Sequence, residues 1–287
     1  MVETAVGTTE TVHFPVGSSV TLHLPNQTAS MTILKPFLPF TISQVYLVTP
    51  TDAQSNLPSK LVMKVYDPRY FNQRTPHPYA KVPPRAWSLE AETMAVQYRQ
   101  EIAQGQHVDE PDEHAFFCNL VTEAHLWENR FYRDMECSYE SEVGSYEALE
   151  DLQGSFIPKL YTHGRLIPTE DKRAIEPYVV LMEYIDGIPL SEVAPGTLHI
   201  PSTVYQPLWD VIKTFGERGV LHTDVNDKNL ILSPPDAPSR MVLIDFGLAA
   251  LRDGNDWDDA YWEYNVQTAS DSYHMKKTLQ GAGVKVS

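Results

Sequence analysis

Apolar and polar positions alternate with a period of two along the N-terminal part of the chain. Val20-Thr21-Leu22-His23-Leu24 alternates in this way and predicts a half-buried strand. From Met31 to Asp67 the pattern is β throughout, through Thr32-Ile33-Leu34-Lys35, Gln44-Val45-Tyr46-Leu47-Val48 and Leu61-Val62-Met63-Lys64-Val65-Tyr66. The turn-like Pro36-Phe37-Leu38-Pro39-Phe40 and a polar loop from Thr49 to Ser59 separate these runs. Pro15 and Pro25 interrupt the first stretch, so Met1 to about Ser30 reads either as an extension adding an edge strand or as a flexible tail. In the last run Leu61, Met63 and Val65 share one face, and Val62, Lys64 and Tyr66 share the other. Lys64 is then either an edge charge that snorkels outward or an ammonium held in a cleft.

The spacing turns helical after Asp67. A loop rich in proline and arginine (Pro68, Arg69, Arg74, Pro76, Pro78, Pro83, Pro84, Arg85) leads to a helix from Ser88, whose hydroxyl can cap the first N–H groups. An acidic loop from His107 to His114 follows, and then Leu120, Ala124 and Trp127 at helical intervals. The apolar residues between Asp67 and Cys137 are too few for a separate core, so this region reads as an insertion. The strongest helix signal runs from Glu136 to Gly154. Met135, Tyr139, Glu142, Tyr146 and Leu149 form one stripe, Glu136, Glu140, Glu147 and Glu150 a solvated face, and Gly154 the stop. Glu142 thus interrupts an apolar seam. Burying a carboxylate without a partner costs several kcal/mol or forces it to protonate, so a cation or a set of donors is expected opposite.

Phe156 to Tyr161 and Tyr178 to Tyr184 read as strands, the second nearly continuous in apolar residues and so central. Asp186-Gly187-Ile188-Pro189 marks a chain reversal or linker. Helical spacing returns from Ser202 to Arg218, a polar acidic segment covers Asp253 to Asp259, and a final helix is expected around Trp262 to Leu279.

Two short stretches near the C-terminal end carry candidate chemistry. Gly219 to Leu232 reads G-V-L-H-T-D-V-N-D-K-N-L-I-L and sets His222, Asp224 and Asn229 in the spacing H-x-D-x-x-x-x-N. Met241 to Gly247 reads M-V-L-I-D-F-G, an apolar run ending in Asp245, Phe246 and Gly247. Each looks like a β segment delivering polar residues at its end. Composition narrows the classes. A length of 287 residues with 42% hydrophobic and 21% charged residues suits one large domain or two lobes of a globular protein. The formal charge of −16 opposes nucleic acid and anionic membrane as non-specific partners. The two cysteines, Cys118 and Cys137, give neither a disulfide framework nor a zinc spacing. With no signal-peptide pattern and no apolar stretch long enough for a bilayer, a cytoplasmic or nuclear location is expected.

In order and spacing, the two stretches resemble the catalytic loop and the metal-binding loop of the protein-kinase superfamily. The chain is most similar to divergent kinase-like families abundant in fungi, through Asp67-Pro68-Arg69-Tyr70, the long insertion, and Leu152-Gln153-Gly154-Ser155-Phe156-Ile157-Pro158-Lys159-Leu160. The resemblance covers roughly Ile33 to Leu251. It implies an α+β, bilobal kinase-like fold. An antiparallel β N-lobe with one principal helix would span 31–184 after an N-terminal extension at 1–30, with the insertion at 67–137, and a reduced, mainly helical C-lobe would span 185–287. It further implies ATP and Mg2+ as cofactors. Lys64 would contact the phosphates, with Glu142 holding its ammonium. Asp224 would orient the acceptor hydroxyl and take its proton, and Asn229 and Asp245 would ligate magnesium. His222 would tie the catalytic loop to the Asp245 turn. Met182 would line the back of the adenine pocket, the backbone of Glu183 and Ile185 would bond the base, and Val62 and Ile231 would form roof and floor.

The departures qualify the acceptor. Leu38 to Ser43 has no glycine where kinases carry G-x-G-x-x-G, Asn226 stands where serine/threonine kinases have a lysine, and no A-P-E follows Gly247. A protein serine/threonine acceptor is the leading expectation, with an activating protein partner. A small-molecule alcohol, as in aminoglycoside or choline kinases, is the second reading. A nucleotide-binding pseudokinase is the third.

Overall fold

A computed structural model of the chain describes residues 14–52, 56–75, 84–106, 111–168, 173–194, 200–252, 258–268, 270–284 and 286. Its elements in chain order are β1 (Ser19–Leu24), β2 (Gln27–Pro36), β3 (Gln44–Pro50), β4 (Leu61–Tyr66), α1 (Leu89–Ala103), α2 (Glu113–Phe117), α3 (Ala124–Ala148), β5 (Leu160–Ile167), β6 (Tyr178–Glu183), β7 (Ile188–Pro189), α4 (Ser202–Ile212), β8 (Val220–Leu221), β9 (Leu230–Ser233), β10 (Arg240–Leu243), β11 (Ala250–Leu251), α5 (Asp259–Thr268) and α6 (Asp271–Gly281). The mixture of helix and strand is α+β. The chain divides into two compact units: residues 1–129 with 164–179, and residues 130–163 with 180–287.

The first unit is built on an antiparallel meander. β1 pairs with β2, β2 with β3, and β3 with β4, while Leu22 of β1 lies opposite Leu166 of β5. Period-two alternation sets the inward face: Val20, Leu22, Met31, Ile33, Tyr46, Val48, Leu61 and Met63 are all buried. Val20 to Leu24 is therefore a paired strand, and β2 already begins at Gln27, ahead of the Met31 start that the pattern indicates. The first thirteen residues of the expected extension lie outside the described residues.

Past β4 the segment from Asp67 onward is anchored by buried ion pairs. Asp67, fully buried, accepts from Arg69 Nη2 (2.8 Å) and from Arg173 Nη1 (3.0 Å). Arg173 Nε also donates to both oxygens of Glu92 at 3.0 Å, and Glu92 takes Trp87 Nε1 at 2.9 Å and the Ala174 N–H at 2.8 Å. Burial alone would raise the Asp67 carboxyl; Arg173 and Arg69 outweigh it and hold it below the ordinary carboxylate range. Glu92 sits in the first turn of α1, which Ser88 caps through its hydroxyl at 3.1 Å from the Ala91 N–H. A second buried fork joins Arg74 to Glu128, with Nη1 to Oε1 at 2.8 Å and Nη2 to Oε2 at 2.5 Å. Pro76, Pro78 and Pro83 of the proline-rich loop, and the start of the His107–His114 loop, lie outside the described residues.

The second unit collects α3 from Arg130 onward, the β10–β9–β7 sheet, the β8–β11 ribbon and helices α4 to α6. Phe246 is its aromatic hub, with Tyr146 at 5.5 Å, Phe215 at 6.2 Å and His222 at 4.7 Å between ring centroids. Trp262 of α5 is buried and donates Nε1–H to Gly216 O at 3.0 Å. Gly187 admits no side chain: a Cβ there would meet Ile231 Cγ2 and Leu232 O at 2.5 Å each, which lets β7 close on β9.

Several expected boundaries move. The helix carrying Glu142 starts at Ala124, not Glu136, and runs through Cys137, because Phe131 and Met135 continue its buried stripe toward the N-terminus. It closes at Ala148, and a 3-10 turn at residues 150–152 intervenes before Gly154, which adopts φ 75°. β5 begins at Leu160 rather than Phe156; the Phe156 carbonyl is taken by Leu243 N–H (2.9 Å). The Ser202–Arg218 helix ends at Ile212, followed by a 3-10 turn at 216–218. The expected final helix is two helices, α5 and α6, the second opened by Ser270 as a new cap. Most of the acidic segment before them lies outside the described residues. The division into units also differs from a boundary at Tyr184. Residues 130–163 group with the C-terminal elements, through bonds such as Leu243 N–H to Phe156 O and the Tyr146–Phe246 contact.

Replacing Arg173 with methionine removes the guanidinium that the buried Asp67 and Glu92 share and leaves Asp67 with Arg69. Equilibrium denaturation of Arg173→Met is expected to lose about 3–5 kcal/mol, the range for breaking a buried pair from one side.

Candidate functional site

Strand pairing brings the two motif stretches of the second unit together. β8 ends at Leu221 and β9 begins at Leu230, so residues 222–229 form the loop between them. β10 runs antiparallel to β9 with Leu243 opposite Leu230, and Ile244 N–H bonds Asn229 O at 3.0 Å. Asp245 therefore leaves β10 beside the Asn229 end of the loop.

Within the loop Asp224 is held by two amides. Asn226 Nδ2 donates to its Oδ1 at 2.9 Å, and Asn229 Nδ2 to its Oδ2 at 3.0 Å. Both amides also reach the Asp224 backbone carbonyl, at 3.1 and 2.9 Å. His222 is fully buried. Its Nε2–H donates to Ile244 O (3.0 Å), and Nδ1 accepts the Asp224 N–H (3.3 Å). Because one ring nitrogen faces an acceptor and the other a donor, this geometry fits the neutral ring. Burial pushes its pKa below the usual histidine value, against the nearby carboxylates of Asp271, Asp245 and Asp224.

Asp271, which sequence reasoning did not single out, supports the loop from beneath. As the first residue of α6 it is buried, and its Oδ2 and Oδ1 accept the N–H groups of His222 (2.7 Å) and Thr223 (3.0 Å). Burial raises its carboxyl above the ordinary range, and the two N–H groups oppose that shift. Thr223 has φ 60° and Asp245 φ 69°, left-handed conformations that side chains other than glycine rarely hold. Thr223 Oγ further donates to Leu248 O at 2.7 Å. The only sequence signal for Asp271 was a serine cap preceding it, which marks a helix start and no more.

Glu142 is fully buried on α3, near the Asp245–Gly247 turn. A Cβ placed on Gly247 would lie 3.5 Å from both Glu142 Oε2 and Asp245 Oδ1. One helical turn further, the Tyr146 hydroxyl meets Met182 Sδ at 3.7 Å, and its pKa is raised by burial and by the charges of Glu142, Asp245 and Glu183. Glu183 N–H bonds Lys159 O at 2.8 Å, and its carboxylate takes the Lys159 N–H at 3.0 Å. Ile185 and Ile231 pack together with Val242 and Ile244. The second unit thus gathers Glu142, His222, Asp224, Asn229 and Asp245 about one turn, with Met182 against the Tyr146 hydroxyl and Ile185 and Ile231 in an apolar cluster that includes Ile244. Lys64 and Val62 lie on β4 of the first unit, opposite Val45 and Leu47; Lys64 is buried and Val62 half-buried.

The donor set suits magnesium. Asn229 spends its NH2 on Asp224, which leaves its carbonyl oxygen to face a metal, and Asp245 supplies carboxylate oxygen. Among the described residues, no group of three or more His, Cys, Asp and Glu side chains could hold a metal. A hard cation bound through one or two protein oxygens, with water and phosphate completing its shell, matches this pair. No helix of the described residues is long and apolar enough to cross a membrane.

Residues 130–271, a span just short of half the chain, match the model of the ABC1 atypical kinase-like domain. The chain is 35% identical over 101 residues to serine/threonine-protein kinase D of Synechocystis, covering 34% of this chain and 18% of that protein. It is 31% identical over 108 residues to serine/threonine-protein kinase rio2 of Schizosaccharomyces pombe, covering 36% and 29%. It therefore spans less than a third of the length of either relative. Among solved structures, the Mycobacterium tuberculosis PknI kinase domain aligns with a TM-score of 0.40 at 18% identity over 92% of this chain and 76% of that one. Vaccinia related kinase 3 aligns with a TM-score of 0.40 at 13% identity over 84% and 54%. By the family model and the two kinase relatives, the chain is protein-kinase-like.

Two outcomes follow from the loop's supports. Asp271→Ala leaves two inward N–H groups without acceptors and should cost about 2–6 kcal/mol in denaturation, at about 1–3 kcal/mol for each orphaned group. His222 has a folded pKa below its unfolded value of about 6.5, so the unfolded chain takes up the proton first on acidification. Its stabilising contribution is complete above about pH 6.5 and declines as pH falls below it. Melting temperatures measured from pH 8 to about pH 5 should drop less steeply in His222→Asn than in the parent protein.

Proposed function

We propose that the chain is an ATP- and Mg2+-dependent phosphotransferase of the atypical protein-kinase type, with a protein serine or threonine as acceptor. The observation that carries this reading is the Asp224 carboxylate, gripped at both oxygens and set beside Asn229 and Asp245 on adjoining ends of paired strands. The kinase names of its two relatives support the reaction class.

In this reading Asp224 orients the acceptor hydroxyl and takes its proton as the oxygen bonds to the γ-phosphorus of ATP and the bond from that phosphorus to the bridging oxygen breaks, releasing ADP. Magnesium-ATP supplies the phosphoryl group and offsets the charge that develops on it. Asn229, through its carbonyl oxygen, and Asp245 hold the metal. Lys64 serves the phosphates, with Glu142 as the acid that its ammonium answers. Met182, Glu183 and Ile185 face the adenine, with Val62 and Ile231 as its apolar cover. His222 keeps the loop and the Asp245 turn in register through the Ile244 carbonyl.

The glycine-free turn between β2 and β3 favours a second reading, a small alcohol as acceptor. Fewer backbone N–H groups could approach the phosphates there than in a glycine-rich loop.

Asp224→Ala is expected to lower transfer from radiolabelled ATP by at least about a hundredfold while leaving the magnesium-nucleotide thermal shift in place. Parent-level turnover in that variant would remove the enzymatic assignment. Asp245→Asn should shrink the magnesium-dependent part of the shift, and Lys64→Met should depress transfer strongly with the fold intact. Running the same assay with protein and small-alcohol acceptors decides between the two readings.

A further inference from the structure

Asn226 is the residue whose chemistry departs most from the kinase pattern, and its side chain is fully committed within the loop. Its Oδ1 accepts the Lys228 N–H at 2.9 Å, closing an Asx turn that fixes the amide plane. That plane aims Nδ2 at Asp224, where it reaches Oδ1 at 2.9 Å and the backbone carbonyl at 3.1 Å. Asn229 reaches the other carboxylate oxygen from the far side of the loop at 3.0 Å. The carboxylate is held at both ends, so it cannot turn about its Cβ–Cγ bond without breaking one of these two hydrogen bonds. Each oxygen has two acceptor positions, and each amide occupies one. An acceptor position therefore remains on each oxygen for an incoming hydroxyl.

We propose that Asn226 is a positioning residue for phosphoryl transfer, setting the rotamer of Asp224 with a neutral donor; the proposal rests on the phosphotransferase reading given above. An amide here supplies orientation without charge, so the donor at position 226 adds no cation beside the transferred group. The charge of that group is then met from elsewhere in the site. Preorganising a base in this way acts on the chemical step, whereas nucleotide affinity depends on other residues.

The test compares Asn226→Ala with Asn226→Asp. The aspartate keeps the oxygen that closes the Asx turn onto Lys228 and puts a second carboxylate where the donor to Asp224 stood, so Asn226→Ala carries the rate, KM and melting comparisons and Asn226→Asp adds charge repulsion on a turn that still closes. With magnesium-ATP, the rate of self-phosphorylation or ATP hydrolysis should fall at least about tenfold in both variants. The KM for ATP should stay within about twofold, and the melting temperature within about 4 °C of the parent. A parallel double-mutant cycle of Asp224→Ala and Asn226→Ala, read by melting temperature, should be non-additive, because each change removes the same bond.

An unchanged rate in Asn226→Ala, a rise in KM with rate intact, or additive melting temperatures would each overturn the positioning role. A parent protein that neither hydrolyses ATP nor phosphorylates itself would overturn the phosphotransferase reading instead. The melting cycle, which needs no activity, tells the two failures apart.

Discussion

The H-x-D loop depends on one buried carboxylate. Asp271 accepts the backbone N–H groups of His222 and Thr223, and so fixes the main chain where it turns into a left-handed conformation at Thr223. A β-branched residue in that conformation carries strain of order 1–3 kcal/mol, which persists only where the surroundings overdetermine it. From that anchor the remaining contacts follow in sequence. His222 is set against Phe246 and the Ile244 carbonyl, Asp224 is directed toward Asn226 and Asn229, and Asp245 enters its own left-handed turn nearby. A carboxylate more than forty residues downstream thus governs the geometry of the H-x-D loop.

The first unit has a comparable dependence on buried charge. The segment past β4 is secured by Arg173 bridging Asp67 and Glu92 and by Arg74 forked onto Glu128. Hydrophobic burial alone would fix such a segment weakly, since contacts of that kind have no direction. Bidentate ion pairs are directional, and removing one partner strands the other in a low-dielectric site.

Much of this was readable in the chain. Alternation gave the meander and its inward face, because a strand with one buried side must repeat every two residues. The stripe through Met135, Glu142 and Leu149 gave the helix, and Glu142 proved to be buried in it. What could not be read were the ends and the long-range partners. Helix boundaries depend on tertiary burial: Phe131 extends α3 beyond the point where local spacing weakens, and Ser270 divides one expected helix into two. Arg173 and Asp271 were illegible for a different reason. Each acts through a contact distant in sequence, and neither stands in any local pattern.

The manner in which Asp271 grips the loop has a consequence for which substitutions the loop can accept. It binds main-chain N–H groups, so it does not discriminate among the side chains attached to them. Position 223 answers to its left-handed backbone and to one hydroxyl bond, Thr223 Oγ to Leu248 O, and proline is ruled out there because it has no N–H to offer and its ring forbids positive φ. Position 222 is bound more tightly, since both nitrogens of its ring are engaged. Two adjacent residues held by one carboxylate thus differ in their freedom to vary: one is read through its backbone and a single hydroxyl bond, the other through its backbone and both nitrogens of its ring.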